Sequence, residues 1–288
     1  MSVDVLSGTL RALSFLTLFQ AAGIALFFAL CELELPNTQV ALRRVGSGAA
    51  LIAGAFLIAQ YLLEAGRMSG EFGAVLDPTL QGIVMRSAAS VTLSWRLLGL
   101  LLIVAGLRRG GAGGTVAGLV GAVMLLAAFT LVGHTSTAQL RWLLSPVLLA
   151  HLFAVTFWFG ALLPLYLVSS REPVKTVGRI VATFSARAVW LVPGLLLAGL
   201  LLATVLLPNL AALRTPYGAL LIVKVIGFSL TMPLAALNRW RFGPALGRGD
   251  LVAGRRFRCA LALEFALLAT ILCVTAVMTT FYSPESPG

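Results

Sequence analysis

The feature that most constrains this chain is a set of eight apolar runs that recur along its 288 residues. Each run has about 18 residues or more, which is long enough for a helix to cross roughly 30 Å of hydrocarbon. Because lipid offers no water to bond the backbone, such runs cross membranes as helices. We therefore expect an all-α, polytopic membrane helix bundle with spans at about 12–31, 47–65, 88–107, 115–135, 144–169, 180–207, 217–237 and 258–281.

The composition agrees with a membrane protein and excludes other classes. The chain is 59% hydrophobic and 11% charged, with a mean hydropathy of +1.00, whereas soluble domains are about a quarter charged. The connections between runs are short, so we expect residues 1–288 to form a single integral membrane domain in contact with membrane lipid. The net charge of +11 comes mostly from loops that lack interleaved aromatic residues, which excludes a nucleic-acid partner.

The distribution of Lys and Arg predicts how the bundle is oriented. Thirteen of these residues lie in the odd-numbered connections and five on the other side, and cytoplasmic loops carry the excess of positive charge. Both termini are therefore expected on the periplasmic, outer side. The longest outer connection contains the pair Asp77-Pro78, which predicts an interfacial loop or a short helix.

The two histidines, His134 and His151, are the strongest candidates for a functional site. His134 ends the fourth run and His151 lies seven residues into the fifth, so both fall in the outer half of the membrane on consecutive helices. An ionisable side chain at this depth is costly and is by default a candidate functional residue. Imidazole and thioether ligands suit Cu(I), which favours a soft-metal site. On residues alone, the alternative that each histidine only hydrogen-bonds a helix carbonyl or hydroxyl stays open.

Further side chains lie at depths that suit a role in such a site. The sulfur candidates for metal binding are Met278, Met85, Met68 and Cys273. In the fifth run, Trp158 precedes Pro164, whose missing N–H frees a backbone carbonyl. That proline predicts either a kink that opens a path or a plain kink without meaning for transport.

Four other ionisable residues are predicted within the spans: Arg96, Arg187, Lys224 and Glu264. Arg187 and Glu264 are each about two turns from the cytoplasmic ends of their helices, which predicts an ion pair between them. Arg96 and Lys224 are each about two turns from the outer ends, where Glu64 is the acidic residue nearest in depth. For these residues, gating or anion binding and structural pairing or anchoring to lipid phosphate remain alternatives.

Catalytic patterns are missing from the sequence, and an enzyme is not expected. The chain has no GxSxG, HExxH or P-loop motif and no carboxylate pair on one face of a span. Two histidines can serve one haem at most. A b-type haem protein that transfers electrons, with His134 and His151 as axial ligands, is therefore one alternative function.

Several phrases of the sequence together resemble one known family. The copper resistance D family of bacterial inner-membrane proteins is similar to this chain over about residues 130–245, in the phrases GHTSTA, HLFAVTFWFGALLPLYLV, FSARAVWLVPGLLLAG, LRTPYGALLIVKV and PLAALNRWRFGPAL. The matched positions are His134, His151, Trp158, Gly160, Tyr217, Gly218, Lys224 and Asn238. The resemblance implies a multi-pass protein of the bacterial cytoplasmic membrane that moves copper inward, often beside a small periplasmic copper-binding protein of the C type.

From this resemblance we expect copper transport or copper transfer across the bacterial cytoplasmic membrane, in import, homeostasis or resistance. The copper ion, Cu(I) or Cu(II), is expected in the outer half between His134 and His151. A non-transporting factor that delivers copper to an oxidase stays open beside the haem protein. The oligomeric state and the driving force are also left open by the sequence.

Overall fold

The computed structural model describes residues 2–31, 35–132, 140–207 and 209–282. Within these ranges the chain forms ten α-helices: α1 (Val3–Cys31), α2 (Gln39–Ser69), α3 (Pro78–Met85), α4 (Ala88–Arg109), α5 (Gly111–Ala127), α6 (Arg141–Arg171), α7 (Val174–Leu206), α8 (Pro216–Leu237), α9 (Gly243–Gly247) and α10 (Leu251–Phe281). Short 3₁₀ turns lie at Phe72–Leu76, Ala128–Leu131 and Leu210–Arg214. A π-helical turn, Asn238–Phe242, joins α8 to α9.

Eight helices in the described ranges are long and apolar enough to cross a membrane, with α8, the π-helical turn and α9 counted as one. The predicted all-α membrane bundle is therefore confirmed, while its orientation stays a prediction. Several helices extend beyond the predicted apolar runs: α1 begins at Val3 and α10 at Leu251. Intrahelical hydrogen bonds continue past the apolar residues until a cap ends them. At α10 the cap is Asp250, whose carboxylate accepts from the backbone N–H groups of Val252 and Ala253.

α1 is the central helix of the bundle. It packs against α2, α4, α5, α6 and α10, and 67% of its most apolar stretch is buried. Its crossing with α6 is close because Gly23 and Gly160 face one another, and a Cβ on either would collide with the Cα of the other. Small residues let membrane helices approach closely, so the α1–α6 crossing depends on the absence of side chains at this point.

The connection between α2 and α4 contains the short helix α3. Oδ1 of Asp77 accepts from the backbone N–H of Thr79 at 2.7 Å and of Leu80 at 3.1 Å. Pro78 occupies the first helical position, where a missing N–H costs nothing. The Asp77-Pro78 pair therefore begins a helix, which is the second of the two structures predicted for this segment.

α7 and α8 are attached to the bundle on one side only. α7 packs on α6 and on α9, and α8 packs on α10, while α7 and α8 make few contacts with one another over their described residues. Only 11% of the most apolar stretch that includes α7, and 6% of that which includes α8, is buried. The helices on which they pack, α6 and α10, also pack against one another.

Candidate functional site

His151 lies on α6, ten residues after its first residue, Arg141, or about 15 Å along the helix axis. The helix begins three residues before the predicted apolar run, which starts at Leu144. The ring faces α7, where Nδ1 of His151 lies 3.3 Å from the carbonyl oxygen of Leu195. One turn along α7, a Cβ on Gly199 would lie 3.2 Å from Cε1 of His151, so this glycine makes room for the ring.

The contact with Leu195 determines which nitrogen of His151 carries the proton. A carbonyl oxygen only accepts hydrogen bonds, so Nδ1 is the donor and Nε2 of the neutral ring keeps its lone pair. Metal-binding histidines almost always donate their other N–H to a carbonyl, a carboxylate or water in this way. The ring is therefore oriented as a metal ligand requires, with Nε2 as the binding atom.

Lys224 places a second ionisable group in the surroundings of His151. It lies on α8, close enough to the imidazole for the two charges to interact. Among the described acidic residues, none forms an ion pair with Lys224. Because like charges repel strongly at short range in a medium of low dielectric constant, an ammonium here opposes a metal cation at His151. This position suits the predicted gating role, which stays a prediction.

A second polar cluster lies two turns further along α6 and centres on Glu264. The indole Nε1–H of Trp158 donates to Oε1 of Glu264 at 2.5 Å. Asn238, the first residue of the π-helical turn, donates through Nδ2 to Oε2 of Glu264 at 2.8 Å. The exposed fraction is 2% for Glu264 and 3% for Trp158. Trp158 and Asn238, which the resemblance selects from separate phrases, therefore meet at one buried carboxyl group.

The predicted ion pair between Arg187 and Glu264 is wrong. Nη1 of Arg187 donates to the carbonyl oxygen of Thr183, one turn back on α7, at 3.1 Å, and Glu264 bonds only Trp158 and Asn238 among the described side chains. The prediction relied on equal depth in the membrane. Depth does not fix which faces of two helices meet, and α7 packs on α6 whereas Glu264 belongs to α10.

Arg96, on α4, contacts the aromatic ring of Phe129. Its Cζ lies 4.3 Å from the centroid of the Phe129 ring, which is a cation–π contact. Its Nε is buried without a hydrogen-bond partner among the described groups. Glu64, the predicted acidic neighbour, pairs with Arg67 at 3.2 Å. The ring contact favours anchoring of Arg96 over a role beside His151.

Pro164 leaves the carbonyl of Gly160 without its usual helical partner, and the structure shows what replaces it. Nε2 of Gln20 on α1 donates to the Gly160 oxygen at 3.0 Å. Gln20 is 7% exposed, so the freed carbonyl is paired inside the protein, as backbone at membrane depth must be. The bond ties α6 to α1 and favours the structural alternative for Pro164.

The sulfur candidates are spread over the bundle. Met68 and Met85 are 53% and 67% exposed at the ends of α2 and α3, and neither helix packs on α6. Met278 is buried near the end of α10, and Cys273 is partly buried more than one turn deeper. The described ranges hold no group of three His, Cys, Asp or Glu residues that could bind a metal.

The second predicted ligand, His134, lies outside the described residues, as do the last residues of the predicted span 115–135. The fourth spanning helix is described as far as Leu131, and the fifth begins at Arg141. A site that contains both histidines therefore stays a prediction. His151 is the histidine whose surroundings the structure describes.

The segment around Tyr217 forms the start of helix α8. Oγ1 of Thr215 accepts from the backbone N–H of Gly218 at 3.2 Å, and Pro216 takes the first position of α8. A Cβ on Gly218 would collide with the backbone of Leu213, so only glycine lets the preceding 3₁₀ turn fold back here. Tyr217 is partly buried beside this cap, and nothing in the cap requires a metal.

Three residues with clear roles were missed by sequence reasoning. Gln20 had a signal, because it is a lone amide in the apolar run LTLFQAAGIALFF. Gly199 had no such signal, because its role depends on the His151 ring that packs against it. Glu172, which is 7% exposed, accepts from Oγ1 of Thr38 at 2.7 Å and from the backbone N–H of Asn37 at 3.0 Å. That carboxylate fastens the α1–α2 connection to the α6–α7 connection.

Comparisons with known proteins match the two halves of the chain separately. Residues 2–142 match the family described as copper resistance protein D-like, N-terminal domain, and residues 178–278 match the family described as copper resistance protein D. A curated relative, copper resistance protein D of Pseudomonas syringae pv. tomato, is 29% identical over 148 residues. That alignment covers 47% of this chain and 47% of the relative, so the chain spans about half of the relative's length. No solved structure matches the chain significantly.

Proposed function

We propose that this chain, whose two halves match the family models of copper resistance protein D and its N-terminal domain, carries copper across the bacterial cytoplasmic membrane. In this proposal a copper ion is the substrate and reaches the bundle from the outer side. His151 binds it through Nε2, and His134 supplies the second ligand. The ion then passes inward along α6.

The observation that carries this proposal is the orientation of the His151 ring. Its Nδ1–H donates to the Leu195 carbonyl at 3.3 Å, which leaves Nε2 as a neutral nitrogen ligand. Imidazole suits both oxidation states of copper. The ring is placed on α6, the helix that Gln20 and Gly23 of α1 hold in position, so the ligand sits on a rigid support.

The surroundings of His151 also explain why a bound copper ion would be released. A cation bound at Nε2 lies near Lys224, and repulsion between them weakens binding. A transport site must bind its ion weakly enough to let it leave. We therefore assign Lys224 to gating. A small periplasmic copper-binding protein of the C type is the proposed donor of copper at the outer side.

The experiment is copper binding and uptake by purified protein in liposomes, with Cu(I) kept reduced by ascorbate. His151→Asn is the informative variant, because the asparagine amide can still donate toward Leu195 but offers no nitrogen lone pair. We expect it, like His151→Ala and His134→Ala, to reduce copper affinity by more than the roughly ten- to a hundredfold that loss of a group supporting a metal ligand costs. Ser145→Ala, on the same helix and one and a half turns before His151, is the control and is expected to behave as wild type. Wild-type binding and uptake in His151→Asn would reject His151 as a ligand.

Two measurements on the same preparations separate the alternatives. Copper bound at wild-type affinity without uptake into the liposomes would favour a delivery factor over a transporter. A Soret band in the absorbance spectrum, lost in both histidine variants, would favour the haem protein.

A further inference from the structure

Glu264 is a carboxyl group in the interior of the bundle that forms no ion pair with any described residue. Its exposed fraction is 2%, and its two oxygens accept from Trp158 and Asn238. The ion pairs formed between described residues all involve Arg67, near the far end of α2. An ionised carboxylate in such a place is costly unless it is paired.

No charged group on the described elements packed against α10 forms an ion pair with Glu264. On α1, Arg11 donates to the carbonyl of Thr279 at 2.8 Å, near the end of α10 and far from Glu264. On α8 and its extension, Lys224 lies near His151, and Arg239 donates to a carbonyl of α7. Most of the remaining titratable groups of α1, α6 and the α8–α9 segment lie closer to a helix end than Glu264 does, and His151 lies two turns from Trp158. These groups are Asp4, Cys31, Arg141, His151, Tyr166, Arg171, Tyr217 and Arg241.

The neighbours of Glu264 can satisfy the carboxyl group in both of its protonation states. The ionised form needs donors, and Trp158 and Asn238 supply one for each oxygen. The protonated form has an O–H that needs an acceptor, and Oδ1 of Asn238 is buried without a hydrogen-bond partner among the described groups. A half-turn of the Asn238 amide presents that oxygen to the new O–H, while Trp158 keeps its bond to the other oxygen.

The backbone at Asn238 supports this interpretation. Asn238 begins the π-helical turn Asn238–Phe242, and such turns inside α-helices are frequent at functional sites. Packing alone would be served by an apolar residue at position 264, which would also remove the cost of burying the polar side chains around it.

We propose that Glu264 is a proton-binding site whose proton exchanges against the copper ion during transport. The coupling to copper rests on the proposed function, while the proton site does not. In the resting state the Glu264 O–H is intact. As a copper cation passes into the inner half of the bundle, the O–H bond breaks, the proton leaves to water at one face of the membrane, and the carboxylate left behind balances the charge of the metal.

The first experiment measures the proton at Glu264 without copper. Infrared difference spectra of the full protein in liposomes, recorded over a pH titration, report the C=O stretch of a protonated carboxyl group. We expect a band in wild type that disappears as the pH rises and that is absent in Glu264→Gln. Ser14→Ala is the matched control, because Ser14 is another buried polar side chain, 1% exposed, that bonds only the Arg11 carbonyl of its own helix, and it should keep the band. A wild-type spectrum with no band that Glu264→Gln removes overturns the proton site.

The second experiment measures the coupling with Cu(I) as the probe. Exchange of one proton changes the transport equilibrium about tenfold for each unit of pH difference across the liposome membrane. Glu264→Gln resembles the protonated carboxyl group, so it should fold, bind copper at His151 and lose this dependence, while Ser14→Ala should retain it. An unchanged pH dependence in Glu264→Gln overturns the coupling. If wild type takes up no copper, the proposed function and the coupling both fail, and the infrared result alone then decides whether Glu264 is a proton site.

Discussion

The helices around α1 and the helices α7 and α8 are packed in opposite ways. Two thirds of the most apolar part of α1 is buried, as the value of 67% shows, against 11% and 6% for the stretches that include α7 and α8. Around α1, glycines bring backbones into contact, as at Gly23 and Gly160. On α7, by contrast, large apolar side chains such as Trp190 and Leu197 are 80% and 66% exposed.

The polar side chains differ between the two regions in the same sense. At the α1–α6 crossing, Gln20 repairs a broken backbone hydrogen bond. Beside α7 and α8, His151 and Lys224 lie near one another without an acidic partner among the described residues. Segments with few buried contacts open most readily. The difference therefore indicates a closely packed frame built on α1 and, where copper is proposed to pass, two outer helices that leave most of their apolar surface exposed.

The largest expected effect comes from a bulky side chain at the α1–α6 crossing. Gly160→Leu has no room beside Gly23, so we expect the helices to separate and the folded yield to collapse, a loss well above the roughly 1–3 kcal/mol typical of overpacking. Gly194→Leu on α7, where no atom lies within 4 Å of the added Cβ, is the matched control. Size-exclusion profiles and thermal unfolding in detergent measure both. Equal behaviour of the two variants would contradict the contrast between the regions.

A smaller effect is expected where α7 meets His151. A Cβ on Gly199 would lie 3.2 Å from Cε1 of His151, closer than ordinary contact, so Gly199→Ala should turn the ring and lengthen its bond to Leu195. We expect copper affinity to fall about tenfold, as when the support of a metal-binding histidine is disturbed, with unchanged thermal stability. Isothermal titration with Cu(I) measures it, and Gly194→Ala is the control. Unaltered affinity in Gly199→Ala would show that α7 does not position the ring.

The smallest effect is expected at the start of α8. Thr215→Ala removes the cap that accepts from Gly218, which should cost about 1 kcal/mol of stability. Thr204→Ala is the control, since Thr204 is exposed and bonds only the Leu201 carbonyl of its own helix. Thermal unfolding compares the two variants, and copper affinity should be the same in both. A copper defect in Thr215→Ala would mean that this phrase does more than begin a helix.

Much of the fold could be predicted because the membrane makes the sequence pattern decisive. Runs of apolar residues must be helices where no water is present, and eight such helices are found in the described ranges. The helix ends were less predictable, because hydrophobicity indicates the part of a helix that faces lipid. The helix itself starts at a cap such as Asp250, outside that apolar part.

The sequence predicted which residues belong to the site, but not which of them contact one another. His151, Lys224 and Glu264 stand out as ionisable residues within apolar runs, Trp158 lies in one of these runs, and the resemblance adds Asn238, the first residue after the seventh run. Their partners were not predictable, because a partner is set by the rotation of each helix about its axis. The failed pair of Arg187 and Glu264 shows this.

The sequence by itself determined that this protein is a multi-pass helical membrane protein, and its motifs placed it in a copper-related family. Both properties follow from the order of residues along single helices, because each apolar span must satisfy its own backbone hydrogen bonds in lipid. Only the tertiary structure decided that Trp158 and Asn238 meet at Glu264 and that Nδ1 of His151 faces Leu195. These contacts depend on which helix faces meet, and close packing at positions such as Gly23 and Gly199 fixes those faces.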